Sequence, residues 1–417
     1  MSKWYKEKIG CLAETYAGGT PSRSNPEYFM GNIPWISSGE LNQPRILQTN
    51  ESITEEALNN SSAKWIPKNS VLIAMYGATA GQVSTNLIDA TSNQAVLALI
   101  PDDELIDGEF LFYSLLNSKN DILFLTQGTG QPNLSKGLID NFSINVPKCK
   151  FEQRRIAQIL STCDAVIEKT QSAIAKYKVI KQGMLHDLFT RGIDIQTGKL
   201  RPHYKDAPEL YKESKLGWIP KEWECEMLSS IIEIISGGTP STQIKEYWDG
   251  EIPWLSVDDF NTGNRYPSKA AKKITEEGLK KSATNMLLPG MLIISARGTV
   301  GVIAQMKAPM AFNQSCYGLN TVNEYLSNDY LYYYLTFFIR FIGFKSYGSV
   351  FDVITRSSFD EVFIPINKKS DEQRMIVEKL TAIDTKLHSE QSYLEKMQQI
   401  KKGLMEDLLS GKKRVEV

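Results

Sequence analysis

The residues that could do chemistry in this 417-residue chain are few and badly spaced for catalysis. Asn25-Pro26-Glu27-Tyr28 comes within one proline of the Asn/Asp-Pro-Pro-Tyr/Phe loop with which amino-methyltransferases hold a target amine, but the second proline is missing. Pro101-Asp102 begins like a nuclease motif and has no Glu-x-Lys behind it. No G-x-x-x-x-G-K-[ST] loop is present to cradle the phosphates of a nucleotide. His186, His203 and His388 stand apart from any cysteine or carboxylate pair. Cys11, Cys149, Cys163, Cys225 and Cys316 include no C-x-x-C, which argues for reduced thiols and against a zinc site. Gly18-Gly19-Thr20-Pro21-Ser22, Gly77-Ala78-Thr79-Ala80-Gly81 and Gly298-Thr299-Val300-Gly301 could turn backbone amides towards an anion, or serve only as tight turns. No active site and no metal site are expected.

The elements that carry these residues occur twice. Gly18-Gly19-Thr20-Pro21-Ser22 returns as Gly237-Gly238-Thr239-Pro240-Ser241, and Ile33-Pro34-Trp35 returns as Ile252-Pro253-Trp254, both displaced by 219 residues. Ile53-Thr54-Glu55-Glu56 recurs as Ile274-Thr275-Glu276-Glu277 at a shift of 221, and Asn93-Gln94, Glu152-Gln153-Arg154 and Ile180-Lys181 recur at 220. Drifts this small need only short insertions in loops. A repeat of this length is far longer than a solenoid unit, so each copy should hold its own core. Within each copy, short β-branched or apolar runs alternate with Gly/Pro/Asn/Ser turns and a few helical stretches, which reads as a mixed α/β (α+β) domain.

A different texture follows. Ile156, Leu160, Cys163, Ile167, Thr170, Ile174, Tyr177, Lys181, Met184 and Leu188 step by four and three without a break. Ile376, Leu380, Ile383, Leu387, Glu390, Leu394, Met397, Lys401, Leu404 and Leu408 repeat the pattern in the second copy. An a/d seam this narrow suits another helix better than a globular core, so the two are expected to pair, antiparallel, as a coiled coil. With centres aligned, Thr170 should meet Glu390 in one polar layer, and Lys181 and Lys401 should carry their charges to solvent on long stems or to a bound subunit. Gly192 and Gly411 stand where helix-stop glycines do. The expected order is 1–150 globular, 151–190 helix, 191–216 linker, 217–370 globular, 371–410 helix and 411–417 tail, with internal pseudo-two-fold symmetry.

Composition sets the remaining limits. Hydrophobic residues make up 42% and charged residues 23%, ordinary for a globular chain that can bury real cores. The N-terminal segment lacks the apolar stretch of a signal peptide, and the most apolar run, Leu331–Phe344, contains Arg340, so a cytoplasmic protein without a membrane span is expected. Net charge is −1, so a nucleic-acid partner would have to be gripped with help from other subunits.

Two divergent domains, each opening on Gly-Gly-Thr-Pro-Ser and Ile-Pro-Trp, each closed by a long helix beginning near Glu-Gln-Arg, with Leu216-Gly217-Trp218-Ile219-Pro220-Lys221-Glu222-Trp223-Glu224 leading into the second, resemble the specificity subunit of type I restriction-modification systems. The resemblance covers essentially the whole chain. It implies two target recognition domains, each reading half of a bipartite, asymmetric site in double-stranded DNA, with the helices as ruler and as dock for two modification subunits. Catalysis would lie elsewhere. Adenine methylation with S-adenosylmethionine falls to the modification subunits, and ATP- and Mg2+-dependent translocation and cleavage to restriction subunits, the whole serving phage defence. A scaffold that binds proteins through both domains is the alternative from another class.

Under that resemblance, what the copies share should build scaffold or touch phosphates, and what differs in matched loops should specify bases. The shared loops offer Thr20, Ser22 and Arg23, and Thr239 and Ser241. In the differing loops, Ser38, Glu40 and Asn42 stand against Asp258 and Asn261. Tyr76 and Gln82 stand against Arg297, and Gln131, Asn133 and Lys136 against Phe351 and Arg356. Arginine suits guanine best, and Asn or Gln suits adenine.

Overall fold

In each copy the alternation of side chains along short strands explains the core. The computed structural model describes residues 3–126, 133–341, 345–346, 349–350 and 353–415. It comprises two units, the first formed by residues 1–172 with 391–417 and the second by residues 173–390.

The first unit holds a five-stranded sheet in the order Ala13–Ala17, Val96–Pro101, Val71–Ala74, Val83–Asn86 and Arg45–Ile46. All its pairings are antiparallel except the last. The run Val71–Ala74 is buried at every position because both faces of the sheet are covered. Val71 and Ile73 pack with the helix Gly108–Asn117, while Leu72 and Ala74 point into a second cluster around Ile36, Leu41 and Ile66, the period of two that a strand imposes. Glu51–Ile53, Ile33–Ile36 and Thr91–Ser92 form a small sheet beside it.

The second unit repeats the plan with Ile232–Ser236, Cys316–Thr321, Leu292–Ser295 and Ile303–Gln305 in one sheet and Lys272–Ile274, Trp248–Leu255, Met310–Phe312 and Met286–Leu287 in another. Residues 331–341 of the apolar run singled out in the sequence belong to the helix Asn328–Phe341, whose Tyr330, Leu331, Tyr333, Tyr334 and Leu335 are core residues, and its residues 342–344 lie outside the described residues. Among the described residues no helix is long and apolar enough to cross a membrane. Residues after the first long helix are built into this unit. Ile193 bridges Leu200, Arg201 is buried, and Tyr211–Ser214 pairs with Gly217–Pro220 as a hairpin.

The long helices run Lys150–Thr190 and Ser370–Leu408. Gly192 and Gly411 follow them at φ +65 and +76, the left-handed conformation in which helices commonly stop. Every seam position on both helices is buried or half-buried, including Ile167, Ile174, Leu387 and Leu394, while most flanking positions are exposed. Towards the helix ends the seam merges with the cores: Ile156 and Leu160 join the first unit's main cluster together with Leu408, and Ile376 and Leu380 join the second's together with Leu188.

The helices pack together antiparallel, with Lys401 ion-paired to Asp164 in the first unit and Lys181 to Asp384 at 2.5 Å in the second. Within each unit the seam lysine reaches the aspartate just past a seam position, and seam residues that share a core, Ile156 with Leu408 and Leu188 with Ile376, sum to 564. This corrects two expectations. In that register the position opposite Thr170 is Leu394, not Glu390. The Thr170 hydroxyl donates to the Val166 carbonyl of its own helix, and Glu390 pairs with Lys386 at 2.9 Å. Lys181 and Lys401 do not take their charge to solvent, because each finds a carboxylate on the partner helix, with only 20% and 17% of the side chain exposed.

Candidate nucleic-acid interface

The shared loops are held from within. Trp35 donates its indole N–H to the Gly19 carbonyl at 3.0 Å, and Trp254 does the same to Gly238 at 3.0 Å. Thr20 donates to Gln94 Oε1, and Thr239 to Gln314 Oε1. A Cβ on Gly18 would stand 2.2 Å from the Ser92 carbonyl oxygen, and one on Gly237 2.0 Å from that of Asn313, so only glycine lets the strands approach. The amides of Gly18, Gly19 and Gly238 donate to Val96, Ser92 and Phe312. The loop is therefore a strand-packing device rather than an anion cradle, and the hydroxyls of Thr20 and Thr239 each bond a glutamine at the surface, Thr20 half-buried and Thr239 exposed.

Arg23 is likewise committed. It forms a two-pronged pair with Glu51 at 2.6 and 2.8 Å and lies 4.1 Å over the Phe29 ring. Its hydrogen bonds hold the Glu51 carboxyl below the usual range. Ser22 and Ser241 are exposed, with Ser22 bonded to Ser24.

Glu40, expected to read bases, is buried. Its carboxylate accepts from Ser37 N at 2.8 Å, Ser37 Oγ at 2.9 Å and Asn50 N at 2.8 Å. The turn needs that acceptor, and Asp259 fills the same role for Ser256 and Ala271. Around these fixed points Asn42, Asp258 and Asn261 are exposed and Ser38 is half-buried.

Each unit brings two distant loops together. Tyr76 bridges Asn133, and Arg297 bridges Val353, with Leu134 N bonded to Met75 O at 2.7 Å and Ile354 N to Ala296 O at 2.8 Å. The turns beside them need glycine at φ +82 (Gly77) and +74 (Gly298). The bridge thus sets the glycine turn against the loop before the last strand in both units, the two groups of candidates that the sequence offered separately. Arg297 and Arg356 are exposed and make no ion pair with a described residue, whereas Lys136 is tied to Asp140 at 2.5 Å. Gln82 and Tyr76 are half-buried, and burial pushes the Tyr76 hydroxyl up. Asn133 is exposed. Gln131 and Phe351 lie outside the described residues.

Several shared polar residues escaped the sequence reading. Glu372 is fully buried and accepts from Arg201, Trp223 Nε1 at 2.9 Å, Asn367 at 2.7 Å and the Ile193 amide at 2.7 Å. Glu152 accepts from Arg414 at 2.7 and 2.9 Å and from Trp4 Nε1 at 3.3 Å. Arg45 pairs with Glu109 and Arg265 with Asp329. Tyr113 donates to Asp164 at 2.7 Å, and Tyr333 to Asp384 at 2.9 Å. Apart from Arg414, Arg201 and Asn367, these side chains have counterparts in the other unit 219 or 220 positions away, so the repeat itself was the signal that could have found them. Among the described residues, no group of three or more His, Cys, Asp or Glu is placed to hold a metal ion.

Duplicated mixed α/β units with closely matched interiors and divergent exposed loops, each containing segments of both long helices, define a class of internally repeated two-domain proteins. Residues 1–176 and 220–399 match the model of the type I restriction modification DNA specificity domain, and the chain belongs to that family. It is 24% identical over 422 residues to the type I restriction enzyme MjaVIII specificity subunit of Methanocaldococcus jannaschii, spanning 99% of this chain and 93% of that protein. It is 29% identical to the EcoR124I/EcoR124II specificity subunit of Escherichia coli over 42% of this chain and 44% of the other. The crystal structure of a type-I restriction-modification S subunit from M. genitalium shares the fold at a TM-score of 0.62 and 18% identity, covering 98% and 96% of the two chains.

Proposed function

We propose that the chain is the DNA-reading subunit of a type I restriction-modification complex. Each unit reads one half of a bipartite, asymmetric duplex site. The long helices set the spacing and dock two modification subunits, and catalysis belongs to the partners, with S-adenosylmethionine on the modification subunits and ATP and Mg2+ on restriction subunits. One observation carries the reading: the same interior is built twice, while the loops that the Tyr76–Asn133 and Arg297–Val353 bridges bring to the surface differ in chemistry. A shared scaffold with unlike reading loops is what an asymmetric site requires.

The test uses the assembled methyltransferase. Four residues are inserted after Ala173 and four after Gln391, which keeps the antiparallel register on both sides. The added rise is about 6 Å, one to two base pairs at about 3.4 Å each. Methylome sequencing should show a longer gap between unchanged half-sites. Altered half-site bases with an unaltered gap would overturn the reading.

A further inference from the structure

An apolar seam with a 3.5-residue period does not by itself specify one register. Sliding one helix by a heptad, about 10 Å, restores apolar against apolar. Two positions in this seam break that degeneracy. Lys181 and Lys401 are the lysines at the same seam position of the two helices, where a methionine or leucine would commonly stabilise more. Each meets a carboxylate on the other helix, Asp384 and Asp164 respectively.

Neither pair stands alone. The Asp164 carboxylate also accepts from the hydroxyl of Tyr113, on the helix Gly108–Asn117 of the first unit's globular part, and Asp384 accepts from Tyr333, on the helix Asn328–Phe341 of the second. Both tyrosine side chains are fully buried. Burial, reinforced by the neighbouring aspartate, holds both phenols well above their ordinary range, so they remain donors. Lys401 lies 5.5 Å from the Tyr113 ring and Lys181 5.8 Å from that of Tyr333. Three elements, the globular helix and both long helices, therefore meet at one carboxylate in each unit. All three residue types recur at a displacement of 220. These are not exposed ion pairs of negligible consequence; moving a helix by one turn or more would take the carboxylate from a half-buried lysine in each unit and the acceptor from the Tyr113 hydroxyl, while the Tyr333 hydroxyl would keep Arg265 at 3.2 Å.

We propose that Tyr113, Asp164 and Lys401, with Tyr333, Asp384 and Lys181, are positioning residues that restrict the protein to a single spacing between its two half-sites. The proposal rests on the bipartite reading above. The ties touch no base and do not alter which half-site sequences are read. They admit one register of the helices and one seat of each globular part upon them.

The experiment measures methylation by the assembled complex on duplexes with the same two half-sites and spacers from three base pairs shorter to three longer. Lys181→Met with Lys401→Met removes both ion pairs while keeping side-chain volume. Tyr113→Phe with Tyr333→Phe removes only the hydroxyls and carries the test if the lysine variant does not assemble. The wild type should favour one spacer. The lysine variant should keep its half-site bases and melting temperature yet lose at least about tenfold of its discrimination against neighbouring spacers, and the phenylalanine variant should lose less. Exchanging the charges, Asp164→Lys with Lys401→Asp and Asp384→Lys with Lys181→Asp, should restore part of the preference, which a merely structural role would not do. A sharp spacer profile retained by both the lysine and the phenylalanine variants overturns the proposal alone. A wild-type complex with no preference for any bipartite site overturns the reading of the chain and the proposal with it.

Discussion

Glu152 and Glu372 open the two long helices from equivalent positions, yet the two units seal them to different depths. In the second unit the partner arginine, Arg201, has 8% of its side chain exposed and Glu372 none. In the first, Arg414 has 23% exposed against 1% for Glu152. The carboxylate and the tryptophan above it are common to both units. The sealing arginine comes from a different segment each time, the stretch that follows the opposite long helix. The difference separates what the repeat copies from what it improvises: the plan of the interior and its key polar contacts are duplicated, while sealing segments and surface loops are free to diverge.

The largest effect should come from removing the deeper carboxylate. Glu372→Ala leaves Arg201 only the more exposed carboxylate of Glu222 at 3.0 Å and takes the acceptor from Trp223, Asn367 and the Ile193 amide, and it should cost about 3–5 kcal/mol, as broken buried pairs do. Glu152→Ala should cost clearly less, because Arg414 retains access to water. Guanidinium denaturation of the two single variants checks this, and equal losses would erase the asymmetry.

The tryptophan bonds should behave in the opposite way. Trp35→Phe and Trp254→Phe each leave a glycine carbonyl without its donor, at about 1–3 kcal/mol, and the two losses should match because the geometry is the same. Values differing by more than about 1 kcal/mol, within the range a single such bond spans, would show that the copied interiors are not equivalent.

The smallest effect is a rate. One position in the central strand region holds Val96 in the first unit and Cys316 in the second, both buried. Burial pushes the Cys316 thiol up to about 12, so at pH 8 its thiolate fraction is on the order of 10⁻⁴. A thiol-disulfide reagent should label exposed Cys11 at once and Cys316 only as the second unit opens. Prompt labelling of Cys316 in native protein would mean that this sheet is looser than its burial indicates.

The duplication, the seam, the stop glycines and the mixed α/β class were legible because they depend on local pattern and on self-comparison within the chain. The contacts of Thr20, Arg23 and Glu40 were not, because their partners Gln94, Glu51 and Asn50 arrive through strand pairing and turn closure that no short window displays. Lys181 and Lys401 were misread for a related reason. A seam lysine reads as a long stem reaching for water until the antiparallel register places Asp384 or Asp164 beside it. Comparing the copies for shared polar residues, as well as for differing loops, would have exposed Tyr113, Asp164 and Arg45, whose counterparts Tyr333, Asp384 and Arg265 stand 220 positions on.

The first unit is assembled from residues on both sides of the second in sequence. Lys401, Leu408 and Arg414, which complete the first unit's tie, core and seal, leave the ribosome only after all of residues 173–390 have done so. At about 5–20 residues per second the wait is roughly ten to forty seconds. During that time the second unit, a single continuous stretch of chain, can close on itself, while the first displays Ile156, Leu160 and the Glu152 carboxylate without their covering residues. Birth order therefore runs against sequence order, and the half-finished first unit is the part of the nascent protein most in need of a chaperone.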